Sequence, residues 1–311
     1  MRNAFADEIT KLGVSDPRVV LLSGDIGNKL FDKFKQHSGD RFLNCGVAEA
    51  NMMSVAAGMA LSGLRPVIYT ITPFTTTRCF EQIRVDACYH SVPVTIVGTG
   101  AGLSYAELGP THHSLEDMAI LRTLPGMTVL APCDETELRL GLRAALQQDG
   151  PVYMRIGKKG EPAIHKQLPD FRLGKALTVK EGADVCLIST GNIMPVVLGA
   201  ADLLAGQGVS ARVESFHTIK PLDTDRLAEL FSRYPLVAVV EEHGRIGGLG
   251  GSISEWFAIG EHKQACMLHF GTDDIFMHEV GSQDYARRKF GLTAENIAEK
   301  VSARLAKLRA A

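Results

Sequence analysis

The sequence predicts an α/β protein built as two three-layer α/β/α domains with mostly parallel sheets. Three observations carry that expectation. Short, β-rich apolar runs alternate with helical segments along the 311 residues. The runs are continuously apolar rather than alternating, as strands covered on both faces are. The rhythm breaks once, over residues 158–182, where Lys, Gly and Pro gather, and then resumes. A chain of this length, 45% hydrophobic, can bury two cores.

Taken in order, "MRNAFADEITKLG" at the N-terminus reads as an amphipathic helix. Strands are expected at 18–25, 41–44, 65–71, 93–98, 127–132 and 151–157. The stretch "GVAEANMMSVAAGMALSG" (46–63) contains a helix buried on most faces. At 134–147, Leu138, Gly141, Leu142, Ala145 and Leu146 form one stripe, with Asp134 placed to cap it. Strand–helix alternation of this kind argues for a parallel sheet. The first domain is therefore drawn over 1–157, a linker over 158–182 and a second domain over 183–311. In the second domain strands are expected at 184–190, 211–216, 235–242 and 265–270, with helices near 194–206, 223–232, 247–258 and 294–308.

Composition removes several function classes. The net charge is −2 with acids and bases interspersed, which gives no footprint for nucleic acid or an anionic membrane. Six cysteines (45, 79, 88, 133, 186, 266) show no CxxC, so reduced thiols and a cytoplasmic location are expected. No apolar run approaches the ~18 residues of a membrane span. There is no HExxH and no Cys/His cluster, so no metal site is expected in this chain. The absence of a G-x-S-x-G elbow argues against a hydrolase. "GTGAGL" (98–103) has Leu where the dinucleotide fingerprint needs Gly, and "GRIGGLGGS" (244–252) reads better as close helix packing than as an anion loop.

In open α/β sheets ligands bind beyond the carboxyl ends of the strands. That rule selects Asp25 in "SGDIGNK", Glu49, Phe74 in "TPFTTTR" and the long loop 98–114 with His112 and His113. Glu49 is the odd residue, a lone carboxylate in an apolar run. It is either a helix-start acid favoured by the macrodipole or a carboxyl kept for one ligand atom.

In order, these segments resemble the C-terminal part of the transketolase family. "GVAEANMMSVAAGMALSG" is similar to the family's G-[IV]-x-E segment and its Gly/Ala-rich helix. "FTTTRCFEQIR" resembles its aromatic-then-Arg helix, and "GPTHHSLEDMAILRTLPGMTVLAPCDETE" its G-P-T-H loop and the strand beyond. "HTIKPLD" and "VEEHGRIGGLGGSISE" are similar to segments of its C-terminal domain. The resemblance implies thiamine diphosphate as cofactor and a task for Glu49. That acid would share a proton with the aminopyrimidine ring nitrogen, and apolar surroundings suit such proton sharing. It also implies that Phe74 stacks on the pyrimidine, Val47 lines its pocket, Asp25 and Arg78 lie near the cofactor, and His112 handles substrate oxygens or a proton. Where relatives carry further aromatics, this chain has Thr75, Thr76 and Thr77, a thinner stacking platform.

The family's diphosphate–metal motif, G-D-G followed by Asn, has no match: "SGDIG" carries Ile in place of Gly. The resemblance therefore implies a split enzyme. An N-terminal, diphosphate-binding subunit would bring the cation (Mg2+ or Ca2+), in an α2β2 heterotetramer with sites between subunits, and this chain alone would be inactive.

Departures from the family bear on substrate. Leu108 stands where sugar transketolases typically carry an Asp that recognises an acceptor hydroxyl, and Gly100 where many carry a substrate-touching His. Arg2 and Arg155 fall at phosphate-contacting positions, Lys29 or Lys158 could assist, and His113 could replace lost polar contacts. The expected activity is transfer of a two-carbon ketol unit from a ketose to an aldehyde in a specialised sugar pathway. Two rivals remain: a decarboxylating thiamine enzyme, of the deoxyxylulose-phosphate synthase or 2-oxo-acid dehydrogenase β-subunit kind, and a non-catalytic regulatory relative.

Overall fold

The computed structural model describes residues 1–27, 29–158, 160–260 and 265–310. Asn28, in the "SGDIGNK" loop, and Lys159, in the expected linker, lie outside these described residues. Two mostly parallel sheets with flanking helices form the frame. The first contains β1 (Val19–Ser23), β2 (Phe42–Asn44), β3 (Arg65–Ile71), β4 (Thr95–Thr99), β5 (Thr128–Leu130) and β6 (Val152–Ile156). The second contains β7 (Leu177–Lys180), β8 (Val185–Ser189), β9 (Ala211–Ser215), β11 (Leu236–Gly244) and β12 (Cys266–Thr272). Between β9 and β11 the chain forms β10 (Thr218–Lys220), which crosses to the first sheet.

The first sheet runs β10-β5-β6-β4-β3-β1-β2, parallel except for β10 against β5. The second runs β12-β11-β8-β9-β7, parallel except for β7 against β9. Five of the central strands, β1, β4, β6, β8 and β9, are buried at every residue, which is why they read as unbroken apolar runs.

Two short strands fall outside the sequence expectation. β7 lies within the segment read as a linker, and its four residues pair only as an antiparallel edge. β10 has three residues and pairs across 88 positions of chain, from Thr218 to Leu130. Runs this short carry too little periodicity to register in sequence. The Gln283–Lys289 helix, seven residues long, was missed for the same reason.

One apolar cluster joins the two halves. It holds Leu22, Ile68, Ile96 and Val129 of the first sheet and Cys186, Ile188, Val237 and Val239 of the second. The Glu49–Leu61 helix packs Met52, Met53, Ala56, Ala57 and Ala60 into it. The capping expected of Asp134 is present: its side chain accepts from Glu137 N at 2.9 Å. All six cysteines are free. Among the described residues, no helix is long and apolar enough to cross a membrane.

Candidate active site

Glu49 is the first residue of the Glu49–Leu61 helix, where the macrodipole favours a carboxylate and Ala48 offers no side-chain cap. The residue is 3% exposed. Its Oε1 accepts a hydrogen bond from Arg78 Nη1 at 2.8 Å. The surroundings are thus less purely apolar than the sequence implies, because a guanidinium has been brought to the carboxylate.

That guanidinium also lies 4.0 Å from the centroid of the Phe74 ring, a cation–π distance. Phe74 sits in the one-turn helix Thr72–Thr75 that follows β3. The threonines around it tie this turn together. Thr75 and Thr76 hydroxyls donate to Thr72 O at 3.0 and 2.7 Å, and Thr77 donates to Pro73 O at 2.8 Å. The His112 ring meets Phe74 edge-on, with centroids 5.3 Å apart. Glu49, Arg78, Phe74 and His112 therefore form one chain of contacts.

His112 is half-buried; its Nδ1 lies 2.9 Å from Thr111 Oγ1. Burial and then the Arg78 charge hold its pKa below the usual histidine value, so the ring is neutral at pH 7. His113 points elsewhere. It is 6% exposed, lines a cavity of 260 Å³ with Pro73, Thr76, Ser114 and Asp117, and leaves Nε2 without a partner.

Asp25 is exposed at φ +50° and exchanges hydrogen bonds with Asn44: its N–H donates to Oδ1 at 3.2 Å, and Asn44 Nδ2 donates back at 3.1 Å. Asn44 Oδ1 also accepts from Gly46 N. Asp25 thus braces the turn that delivers Glu49. Val47, in that turn, is 76% exposed.

Among the expected anion contacts, Arg155 is buried and already paired. It is 4% exposed, its Nε lies 3.1 Å from Asp117 Oδ2, and its Nη2 donates to Ser114 O and Glu242 O. Tyr153 OH donates to the same Asp117 oxygen at 2.5 Å. Arg155 therefore ties the loop after His112 to Asp117 and to the second domain. Its interior strand β6 turns it toward the buried Asp117, a partner that sequence position alone did not reveal. Arg2 is half-buried with its Nε unpartnered, and Lys29 is exposed. Lys158 pairs with Glu107 and lies 4.5 Å from the Tyr105 centroid.

Two further residues shape the site and were missed in sequence. Tyr105 packs over Gly100, where any Cβ would lie 2.0 Å from the Tyr105 ring. Glu242, on β11, accepts from Leu103 N at 2.7 Å and so fixes the long loop from the second domain. Leu108, 49% exposed, lies on that loop.

Comparison with known proteins decides what this arrangement is. Residues 1–161 match the transketolase pyrimidine-binding domain, and residues 174–297 the transketolase C-terminal domain. The chain belongs to the transketolase family. It is 37% identical to the 6-deoxy-6-sulfo-D-fructose transketolase subunit SqwH of Clostridium sp. (strain MSTE9), over 96% of this chain and 92% of that one. It is 32% identical to one subunit of the apulose-4-phosphate transketolase of Phocaeicola vulgatus, over 95% and 94% of the two chains. Its fold superposes on a split-gene transketolase, solved as an inactive beta4 tetramer, with TM-score 0.89, 33% identity and 98% coverage of both chains. The chain is thus a subunit-length, thiamine diphosphate-dependent transketolase, a ketol transferase of the split type.

The site residues fit the aminopyrimidine end of that cofactor. A carboxylate has two oxygens, and the Arg78 hydrogen bond involves only one of them. Phe74 presents its ring beside that carboxylate, with the 43% exposed Arg78 side chain lying over it.

Proposed function

We propose that this chain supplies the pyrimidine side of the transketolase site and that a second, diphosphate-binding subunit supplies the divalent cation. The observation that carries the reading is the run of contacts from Glu49 through Arg78 and Phe74 to His112. When bound, thiamine diphosphate supplies the nucleophilic carbon that takes up the two-carbon unit. Glu49 holds a proton against the pyrimidine nitrogen. Phe74 and Val47 orient the ring and exclude water. His112, neutral at its lowered pKa, accepts or returns a proton at a substrate oxygen.

An α2β2 assembly accords with the surface around Glu49. Val47, Val55 and Leu61 are exposed along the turn and helix that carry it. Tyr89, at the end of the Ile83–Tyr89 segment that packs against that helix, is 82% exposed. Such apolar exposure suits an interface. The relative solved as a tetramer of beta chains was inactive, which is the state expected of this chain without its partner.

The substrate class is an anionic sugar. Both named relatives act on sugars whose names carry an acidic group, a sulfo or a phosphate. Arg2 and Lys29 are cations for that group, and Lys158 would serve by exchanging its Glu107 partner for it, whereas Arg155 is committed to Asp117. Leu108 offers no acceptor for a sugar hydroxyl, which favours a substrate that is deoxy or sterically different at that point. The test is to co-purify this chain with a diphosphate-binding transketolase subunit. Ketol transfer is then assayed over phosphorylated, sulfonated and neutral sugars. Turnover of the anionic sugars by the complex alone is the expected result; turnover by the isolated chain, or carbon dioxide release from pyruvate, would contradict it.

A further inference from the structure

Away from Glu49, the fold brings His165 beside Cys133 and Glu137, which lie four residues apart in sequence. Cys133 follows β5, Glu137 lies in the first turn of the Glu135–Ala145 helix, and His165 lies in the segment between the two domains. Their ligand atoms all lie within 4.8 Å of one another. His165 Nε2 is 2.8 Å from Glu137 Oε1 and 3.9 Å from Cys133 Sγ. We propose that Cys133, Glu137 and His165 form a binding site for a zinc-type divalent cation.

The donor set is the first argument. Thiolate, imidazole and carboxylate together are ligands of zinc-like ions, whereas magnesium and calcium take oxygen. Geometry is the second. Bond lengths of about 2.3 Å to sulfur and about 2.0 Å to nitrogen place tetrahedral ligands roughly 3.3–3.8 Å apart. The sulfur–nitrogen separation of 3.9 Å is already close to that, and the oxygen–nitrogen pair needs to open only slightly. On binding, the Cys133 S–H bond breaks, its proton leaves to solvent and its sulfur lone pair takes the cation; no electrons are exchanged.

The supporting contacts are the third argument, because ligands of real sites are themselves held. Cys133 N donates to Glu137 Oε2 at 2.7 Å. Asp134 accepts from Glu137 N through one oxygen and, through the other, from Ile164 N and His165 N at 2.8 and 3.0 Å. One carboxylate thus fixes both the helix that bears Glu137 and the segment that bears His165. Cys133 and Glu137 are fully buried, and the His165 side chain is 8% exposed.

A further imidazole lies in the same neighbourhood. His217 O accepts from Ala131 N, two residues before Cys133, and the ring stacks on Phe171 at 4.1 Å. Its Nε2 is buried without a partner. A cation here would tie the interdomain segment to the first domain beside the point where β10 joins the first sheet. None of the three ligands belongs to the Glu49–His112 cluster.

The test uses the full chain, stripped of metal and free of magnesium and thiamine diphosphate, titrated with cobalt(II). A stoichiometric thiolate-to-cobalt charge-transfer band is expected. Cys133→Ser should abolish it, and His165→Gln should weaken binding by roughly 100-fold, each with an unchanged circular-dichroism spectrum. Native mass spectrometry of the untreated complex should show the chain carrying zinc. Retention of the band in Cys133→Ser would overturn the proposal, as would failure of the wild-type chain to bind cobalt stoichiometrically. If Cys133→Ser fails to fold, His165→Gln decides: cobalt affinity equal to wild type would leave the three side chains as a plain hydrogen-bonded cluster.

Discussion

The guanidinium of Arg78 donates to Glu49 at 2.8 Å while lying 4.0 Å from the centroid of the Phe74 ring. One side chain therefore neutralises the buried acid and shields the aromatic. Arg78→Gln should uncover both. Glu49 is 3% exposed but Arg78 is 43% exposed, so the loss should be about 1–2 kcal/mol, below the 3–5 of a fully buried pair. Thermal unfolding of the chain measures it.

The same substitution bears on pH. His112 is held below the usual histidine pKa first by burial and then by the Arg78 charge. Removing that charge lets the ring gain its proton at higher pH. If neutral His112 is the working form, the acid limb of kcat/KM moves upward in Arg78→Gln and stays below about 6.5, because burial remains. A limb that does not move would separate His112 from the observed ionisation.

Gly100 and Tyr105 are reciprocal. Gly100 has φ +83°, and a Cβ there would sit 2.0 Å from the Tyr105 ring. Gly100→Ala should cost about 1–3 kcal/mol through strain and displacement of the ring. Tyr105→Ala in the same chain should recover the clash component but not the backbone component, which a double-mutant cycle in urea would resolve. KM for the anionic sugar should rise in both, because Lys158 rests on that ring.

Leu108 is 49% exposed, so Leu108→Asp should leave stability unchanged within about 0.5 kcal/mol. It adds an acceptor where the wild type has none. The ratio of kcat/KM for a hydroxylated acceptor over its deoxy analogue should rise about 10-fold or more.

The N-terminal helix supplies an acid-sensitive contact. Glu8 is 1% exposed; burial raises its pKa, but hydrogen bonds from Arg143 and Arg139 outweigh that and leave it lowered. A lowered folded-state pKa means the stabilisation is fully present above the unfolded value, near 4.3, and is lost as pH falls through the folded value. Glu8→Gln should therefore destabilise at pH 7 and converge with wild type only as pH falls below the lowered folded-state value. Urea midpoints across that range test the sign.

Much of the frame was legible because buried parallel strands write themselves as apolar runs, and the Asp134 cap and its helix stripe are local signals. Glu49 stood out because a charge in an apolar run needs a partner, yet the partner, Arg78, lies 29 residues away. The pairing of Arg155 with Asp117 was not legible because sequence position does not show which way a strand residue faces. The Gly100–Tyr105 contact depends on a positive φ, and the Cys133–Glu137–His165 cluster spans 32 residues and an interdomain crossing. Neither has a spacing that sequence can display. β7 and β10 are too short to announce themselves, and β10 pairs with a sheet that begins some two hundred residues earlier.

On the proposed function, Glu49 activates the cofactor by sharing a proton with it. The most direct measurement is the rate of hydrogen–deuterium exchange at the thiazolium C2 of thiamine diphosphate bound to the assembled complex, read by NMR without any sugar present. Glu49→Gln should bind cofactor yet slow that exchange by roughly 100-fold or more. Exchange at the wild-type rate in a Glu49→Gln complex with cofactor fully bound would contradict the account.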